Sequence, residues 1–337
     1  MSEKVLISVA LCTYNGERFL GEQLESLARQ SRLPDELVVV DDGSTDGTVA
    51  VLENFARTSP FPVRIQLNQS TLGVTKNFEK ALTQCLGELL FLCDQDDLWE
   101  TEKIARMAAF LQQTPQVNVV FSDAFLVDEK AAFLPHRLWD AVQLQPAQLE
   151  QWRQGKSIKL MLLGNRVAGC TMALRKSFLD QLPPFPTDIP EFLHDTWIAL
   201  VASVLNEIQF IDLPLVKYRQ HPAQQVGTQR ERPQALTLRK RLSRPHREKL
   251  APLQKTHAEL SKLYGYLQRI VPTDNENMRL IAEKICFLSM RSTLPDNRLL
   301  RLPPILKEWR KGNYYRFAEQ NTTAKGVFLT ALGDFLE

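Results

Sequence analysis

The sequence predicts an α/β fold, a mostly parallel sheet flanked by helices, with an α-helical C-terminal extension. Three observations carry that prediction. Four short apolar runs alternate with three segments of helical spacing before residue 94. Each run breaks off into polar residues on its C-terminal side. The charge balance then changes sign: residues 1–227 hold 20 Lys+Arg against 28 Asp+Glu, and residues 228–337 hold 21 against 11. Such asymmetry suggests an acidic body with a basic appendage.

Val5 to Cys12 is β-rich and gives way to Thr13-Tyr14-Asn15-Gly16. Glu17 to Gln30 puts Phe19, Leu20, Leu24, Leu27 and Ala28 on one helical face. Leu37 to Val40 is a second strand, running into Asp41-Asp42-Gly43-Ser44-Thr45-Asp46-Gly47, and Val49, Val51, Leu52 and Phe55 mark a second helix. Val63 to Leu67 is a third strand ending at Asn68, Phe78 to Leu86 a third helix, and Leu89 to Cys93 a fourth strand. Strands that are apolar throughout belong to parallel sheets covered on both faces. Alternation with helices makes the crossovers right-handed, so the strand C-termini share one edge. Open α/β sheets bind ligands at that edge, and Thr13, Asn15, Asp41, Asp42, Asn68, Asp94 and Asp96 all fall on it.

The fourth strand ends in three carboxylates within four residues, Asp94, Asp96 and Asp97. Crowded carboxylates repel one another unless a cation sits between them. Asp94-Gln95-Asp96 therefore reads as half of a divalent-metal site, the plainer alternative being an acidic turn. Two look-alikes stand apart. Asp42 to Glu53 matches the spacing of an EF-hand loop, but a strand rather than a helix precedes it. Asp94-x-Asp96 also resembles a haloacid-dehalogenase-type phosphatase motif, where a small or β-branched residue usually follows; here Asp97-Leu98 follows.

Beyond this point Lys103 to Leu111 is a helix and Val117 to Ser122 a strand ending in Asp123. Residues 130–165 are irregular and read as an acceptor-side excursion, in which Trp139 and Trp152 either stack on a sugar ring or fill the core. Asn165 to Leu174 is a strand, with Gly169 allowing close approach of a ligand or neighbouring backbone. His194-Asp195 opens an amphipathic helix, where a carboxylate also suits the helix dipole. Leu213 to His221 reads as an edge strand entering a basic loop.

Thr13-Tyr14-Asn15, the Val-Asp-Asp-Gly-Ser-Thr-Asp-Gly-Thr run at 40–48 and Asp94-Gln95-Asp96 together resemble the nucleotide-sugar half of glycosyltransferase family 2, the Rossmann-like GT-A fold. The resemblance covers roughly residues 5–222. It implies that Thr13, Tyr14, Asn15, Asp41 and Asp42 line the nucleotide-sugar site, with Asp41 on the base or ribose. It implies that Asp94 supports the ribose side and Asp96 holds Mg²⁺ or Mn²⁺ against the diphosphate. In the same family reading Asp195 is the catalytic base of an inverting transferase, taking the acceptor hydroxyl's proton, with His194 the alternative. Arg219 is expected to pair with diphosphate oxygens and His221 to complete the metal shell. Tyr218-Arg-Gln-His221, with Asp-Gln-Asp-Asp-Leu-Trp and His-Asp-Thr-Trp, looks most like the rhamnosyltransferase-like branch of bacterial surface-polysaccharide synthesis. A donor such as dTDP-rhamnose and a saccharide or lipid-linked saccharide acceptor follow from that likeness. The alternative, a non-catalytic nucleotide-sugar-binding scaffold, sits poorly with competent residues at the metal, nucleoside and base positions.

The expected organisation is a GT-A domain over 1–227, divided into a nucleotide-sugar half (1–123) and an acceptor half (124–227), then a basic helical region over 228–337. Five cysteines, an odd number, show no metal-ligand spacing. Met-Ser-Glu-Lys lacks the basic flank and apolar core of a signal peptide. No apolar run reaches the roughly 18 residues of a spanning helix. The expectation is a cytoplasmic protein, peripheral at the inner face of the membrane. Arg230 to Lys249 is strongly basic, and Leu250 to Leu288 carries apolar residues at spacings of three and four, a helical hairpin. Its seams can pack internally or form a homodimer. The basic stretch suits an anionic membrane surface or the acidic body; nucleic acid is not expected, because no aromatics interleave with the charges.

Overall fold

The computed structural model describes residues 5–190, 192–222, 224, 246–318 and 322–336. They divide between two compact units, residues 1–230 and 231–337.

The first unit alternates strand and helix as its periodicity requires: β1 (Ile7–Thr13), α1 (Glu17–Ala28), β2 (Glu36–Asp41), α2 (Thr48–Thr58), β3 (Val63–Leu67), α3 (Val74–Gln84) and β4 (Leu89–Cys93). Every residue of β1, β2 and β4 is buried, which is why these strands read as unbroken apolar runs. β1 pairs in parallel with β2 and β4, and β2 with β3, so the four C-termini lie along one edge. Then come β5 (Leu98–Trp99), α4 (Lys103–Gln113), β6 (Val119–Val127), β7 (Phe133–Arg137), the short helices α5 (Leu138–Ala141), α6 (Pro146–Arg153) and α7 (Ser157–Met161), β8 (Met172–Arg175), α8 (Lys176–Leu179), α9 (His194–Leu205) and β9 (Ile208–Arg219). The strand order is β3-β2-β1-β4-β8-β6-β9-β5, with β7 paired to β6.

This second half departs from expectation in four places. β8 is only four residues long, runs antiparallel to both β4 and β6, and follows a 3-10 turn at Gly169–Thr171. β9 is no edge strand: it lies between β6, to which it is parallel, and β5. Asp123 does not end its strand but sits inside β6 at a register shift, where its Oδ1 accepts the Ala124 and Trp139 N–H groups. Residues 130–165 form a hairpin strand and three helices rather than an irregular excursion.

Trp139 and Trp152 are core residues. Both pack edge-on to Phe121, at 6.0 and 4.9 Å between ring centroids, so neither offers a face to a sugar. Trp152 Nε1 also donates to the Ile208 carbonyl at 3.3 Å. Replacing a fully buried tryptophan by alanine is expected to cost about 3–5 kcal/mol. Trp152→Ala should show that loss as a lowered midpoint in urea unfolding.

The second unit is helical: α10 (His246–Leu267), α11 (Glu276–Ser292), α12 (Arg298–Arg310), α13 (Asn313–Arg316) and α14 (Ala324–Leu336). The expected hairpin is α10 with α11; the three further helices continue the helical region expected over 228–337, where the sequence had placed none of them individually. A small core of Phe287, Leu294, Ile305, Tyr314, Val327 and Ala331 holds them. Buried Asp334 ties the unit together, accepting from Arg291 at 2.8 and 3.1 Å and from the Tyr314 hydroxyl at 2.7 Å, with Lys249 at 3.3 Å. Buried charges of this kind persist where partners surround them. Residues 225–245, which hold most of the basic stretch, lie outside the described residues.

Candidate active site

The carboxyl ends of β1, β2 and β4 are knitted together by side chains. Asp41 accepts at Oδ1 from Thr13 Oγ1 (2.8 Å) and Ser44 Oγ (2.6 Å), and at Oδ2 from the Gly43 and Ser44 N–H groups (3.1 and 2.8 Å). Asp42 accepts from Asn68 Nδ2 and from the Leu72 and Gly73 N–H groups. Both carboxylates are therefore buried and committed to shaping the loops that follow β2 and β3. Gly43, at φ +87°, makes the left-handed turn that folds this loop back onto Asp41. Asn15, at φ +48°, takes the Thr45 N–H on its Oδ1 at 2.8 Å, while its own N–H donates to Ser44 Oγ. Gln95, the middle residue of Asp-x-Asp, brackets Tyr14 by accepting its N–H (2.8 Å) and donating to its carbonyl (3.0 Å). The Tyr14 ring is left about half exposed at the rim.

β9 brings its end to the same place. His221 Nε2 lies 2.8 Å from Asp96 Oδ2, and its ring packs against Phe19 at 4.9 Å. Residues 125 apart in sequence thus meet as a carboxylate–imidazole pair. Carboxylate oxygen and imidazole nitrogen are a donor set suited to a divalent cation such as Mn²⁺, so the Asp96–His221 pair fits the expected metal.

Arg219 departs from its expected contact with a diphosphate. It is wholly buried, and protein groups take its guanidinium: Nε donates to the Asp96 carbonyl (2.8 Å), one terminal nitrogen to the Glu129 carbonyl (2.8 Å) and the other to Glu22 (2.7 Å). The guanidinium carbon also stacks over Phe19 at 4.6 Å, and the backbone N–H donates to Asp97 at 3.0 Å. Arg219 therefore fixes the backbone that carries Asp96.

Asp195 is the first acid of α9. Its Oδ2 accepts the Gly169 N–H at 3.1 Å and its Oδ1 the Thr196 N–H and hydroxyl at 2.5 and 3.1 Å, with a further bond from Asn165. Burial outweighs these bonds and pushes the Asp195 carboxyl up to about 6. Adjacent His194 stacks on Phe78 at 3.9 Å, and neither ring nitrogen has a hydrogen-bond partner among the described residues. Burial holds its pKa down at about 3, so its imidazole is neutral. Gly169 gives the close approach expected of it, but to a side chain: a Cβ there would stand 2.9 Å from His194 Nε2.

Behind the acidic turn lies a charge that the spacing of the carboxylates did not announce. Lys103 is wholly buried, its ammonium 3.3 Å from the centroid of Trp99 and 2.5 Å from the Cys170 carbonyl. Burial draws its pKa down to about 8, while Asp97 and Asp94 oppose that fall. The same cluster shows what the turn costs. Burial pushes the Asp94 carboxyl well above the usual range, as do the charges of Asp97, Asp96 and Asp195. Burial and then Asp96 push Asp97 up to about 7. Acidic oxygens of Asp94 and Asp97 lie within 4.8 Å of each other and of the Cys170 sulfur.

A sequence model of the family described as Glycosyl transferase family 2 matches residues 8–182, just over half of the chain. The chain belongs to glycosyltransferase family 2. An uncharacterized protein of Mycobacterium tuberculosis is 27% identical over 218 residues, 64% of this chain and 59% of its own length. The dTDP-rhamnosyl transferase RfbG of Shigella flexneri is 28% identical over 231 residues, 64% of this chain and 73% of its own. Among solved structures, Staphylococcus aureus TarS 1–349 in complex with UDP superposes with a TM-score of 0.53 at 18% identity, covering 98% of this chain and 90% of that one. The shared fold is the GT-A fold, a sheet flanked by helices with C-terminal helices beyond it. Within this family 2 chain the sequence reading named Gln95 and Asp97 without giving either a role of its own, and it missed Lys103 and Cys170 as members of the site. Lys103 was legible: it shares a helical face with Met107 and Leu111, a position that buries whatever occupies it.

Proposed function

We propose that this family 2 chain is an inverting, metal-dependent glycosyltransferase, moving a sugar from a nucleoside-diphosphate sugar to a saccharide or lipid-linked saccharide acceptor in surface-polysaccharide synthesis. The observation that carries the reading is the Asp96–His221 pair at the end of the sheet, with Asp195 bonded to the Gly169 N–H beside Cys170, whose sulfur lies within 4.8 Å of the Asp94 and Asp97 oxygens. This supports assigning the metal to the pair and the base to Asp195 within one site at the ligand-binding edge of the sheet. Asp96 and His221 would hold the cation, with Asp94 on the ribose side. A bound Mg²⁺ or Mn²⁺ supplies the neutralisation that lets a nucleoside diphosphate leave. The loops shaped by Asp41 and Asp42, with Thr13, Tyr14 and Asn15, form the nucleoside side. Asp195 takes the acceptor hydroxyl's proton as its oxygen attacks the anomeric carbon from the face opposite the leaving group. The likeness to RfbG, named a dTDP-rhamnosyl transferase, supports a dTDP-sugar as donor. The Pyrobaculum calidifontis mannosyltransferase solved with GDP-Man and Mn²⁺, which shares the fold at a TM-score of 0.50, is consistent with the metal.

Thermal unfolding with UDP, dTDP, GDP and CDP, with and without Mn²⁺, tests the reading. A ligand at about a hundred times its Kd adds roughly 2.7 kcal/mol, a shift of several degrees in a chain of this size. One nucleotide should raise the midpoint, and only with the metal. No shift with any nucleotide would remove the donor site.

A further inference from the structure

We infer that the outer face of α12 is a membrane-docking surface that seats the second unit in the headgroup layer of an anionic bilayer. The inference concerns a described helix and stands independently of the catalytic reading. α12 turns Arg301, Ile305 and Glu308 inward. On its opposite side Leu299, Leu300, Leu302 and Leu306 are exposed, Leu299 by 71% and Leu300 by 61%. Four large aliphatic side chains on one short helix form a patch of the kind soluble surfaces avoid unless something covers it.

Charge decides what covers it. Arg298, Lys307 and Arg310 stand exposed on the same helix, and Lys311 follows its end. The only acid of α12, Glu308, is buried, where it accepts from Lys311 at 2.8 Å and also from Asn313. The exposed face thus combines leucines with four cations, against which the exposed acid Asp296 stands just before the helix, a net positive balance that suits a helix lying in the plane of an anionic interface. A second copy of the chain would bring like charge against like. Aromatic residues extend the patch: half-buried Trp309 touches Tyr315 at 5.4 Å and Phe328 at 6.4 Å, both more than half exposed. Tryptophan and tyrosine favour the membrane–water boundary.

Depth follows from two prolines. Pro303 and Pro304 lie inside α12 and carry no N–H, so the carbonyls of Leu299 and Leu300 have no donor from the next turn. Such carbonyls need water or headgroup donors and are excluded from hydrocarbon. The helix therefore lies in the wet headgroup layer, with its leucines pointing toward the acyl chains.

The test is flotation of the full chain with vesicles of phosphatidylcholine alone and with a phosphatidylglycerol fraction, alongside light-scattering mass measurement without lipid. Wild type should float with the anionic vesicles and not with the neutral ones. The triple variant Leu299→Asp, Leu302→Asp, Leu306→Asp should lose at least about tenfold of that binding. All three positions are exposed, so far-UV circular dichroism should be unchanged. Trp309 gives a second reading that requires no disruptive change: brominated phosphatidylglycerol should quench wild-type fluorescence, and Trp309→Phe should remove most of the quenching. Undiminished flotation of the triple variant, or quenching unaffected by Trp309→Phe, would overturn the inference. So would a lipid-free dimer that the triple variant splits while wild type ignores vesicles, because the face would then belong to a second copy.

Discussion

Asp195→Asn is expected to lower sugar transfer by about 10²–10⁴-fold, the range a positioned general base contributes, while nucleotide affinity stays within severalfold of wild type. Asparagine keeps the shape, but only one of its two terminal atoms accepts, so either the Gly169 N–H or the Thr196 groups lose a partner, a local cost of about 1–3 kcal/mol that the nucleotide titration controls for. What is lost is the capacity to take a proton. The check is single-turnover transfer beside nucleotide titration; a variant that retained the wild-type rate would end the assignment. The pH dependence has a definite sign. With the Asp195 carboxyl pushed up to about 6, the base is ionised above that pH and protonated below it. The wild-type rate should therefore fall as pH drops through about 6. Stability responds in the opposite sense: the folded chain keeps a proton that the unfolded chain sheds near 3.8, so this residue's contribution declines as pH rises from about 4 through 6.

Asp96→Ala is expected to abolish the metal-dependent part of nucleotide binding and to cost transfer about 10²–10³-fold, the scale of losing one preorganised charge-stabilising group. The Asp96 carboxylate is the one that His221 faces at 2.8 Å, so its removal breaks the pair rather than thinning a crowd of acids. His221→Ala should act in the same direction with a smaller effect. Calorimetric titration with Mn²⁺ in the presence of the nucleotide separates these outcomes, and an unchanged Mn²⁺ affinity in Asp96→Ala would move the metal elsewhere. Arg219→Lys makes a contrasting case. A lysine cannot serve Asp96, Glu129 and Glu22 together, so unfolding resistance should fall by about 1–3 kcal/mol. That loss would be read in urea, without nucleotide.

The first half of the sheet was readable from sequence because parallel strands buried on both faces carry their signature locally. Leu37-Val38-Val39-Val40 or Leu89-Leu90-Phe91-Leu92 needs no partner to be recognised. The second half was not, because its strands are defined by pairing across the chain. β8 is four residues long between two antiparallel neighbours, and β9 takes its place from β6, some 90 residues earlier. The same distinction governs the site. Asp94-Gln95-Asp96 announces itself by composition, and His221 could be suspected beside it. Whether Arg219 faced a ligand or the protein depended on where Glu22, Phe19 and Glu129 came to lie, which no local pattern encodes. Trp139 and Trp152 show the same limit, since core and sugar platform ask for the same residue type.

The position of β9 has a consequence for synthesis. Among the strands of the sheet it leaves the ribosome last, yet it is inserted between β6 and β5 rather than added at a border. Until Ile208–Arg219 emerges, β6 presents an open row of backbone groups on one side and β5 has no strand to pair with. Open rows of this kind invite pairing between molecules, and long-range closure is slow. A nascent chain stalled after α9 is thus a candidate for chaperone capture, and one released there should be found in inclusion bodies.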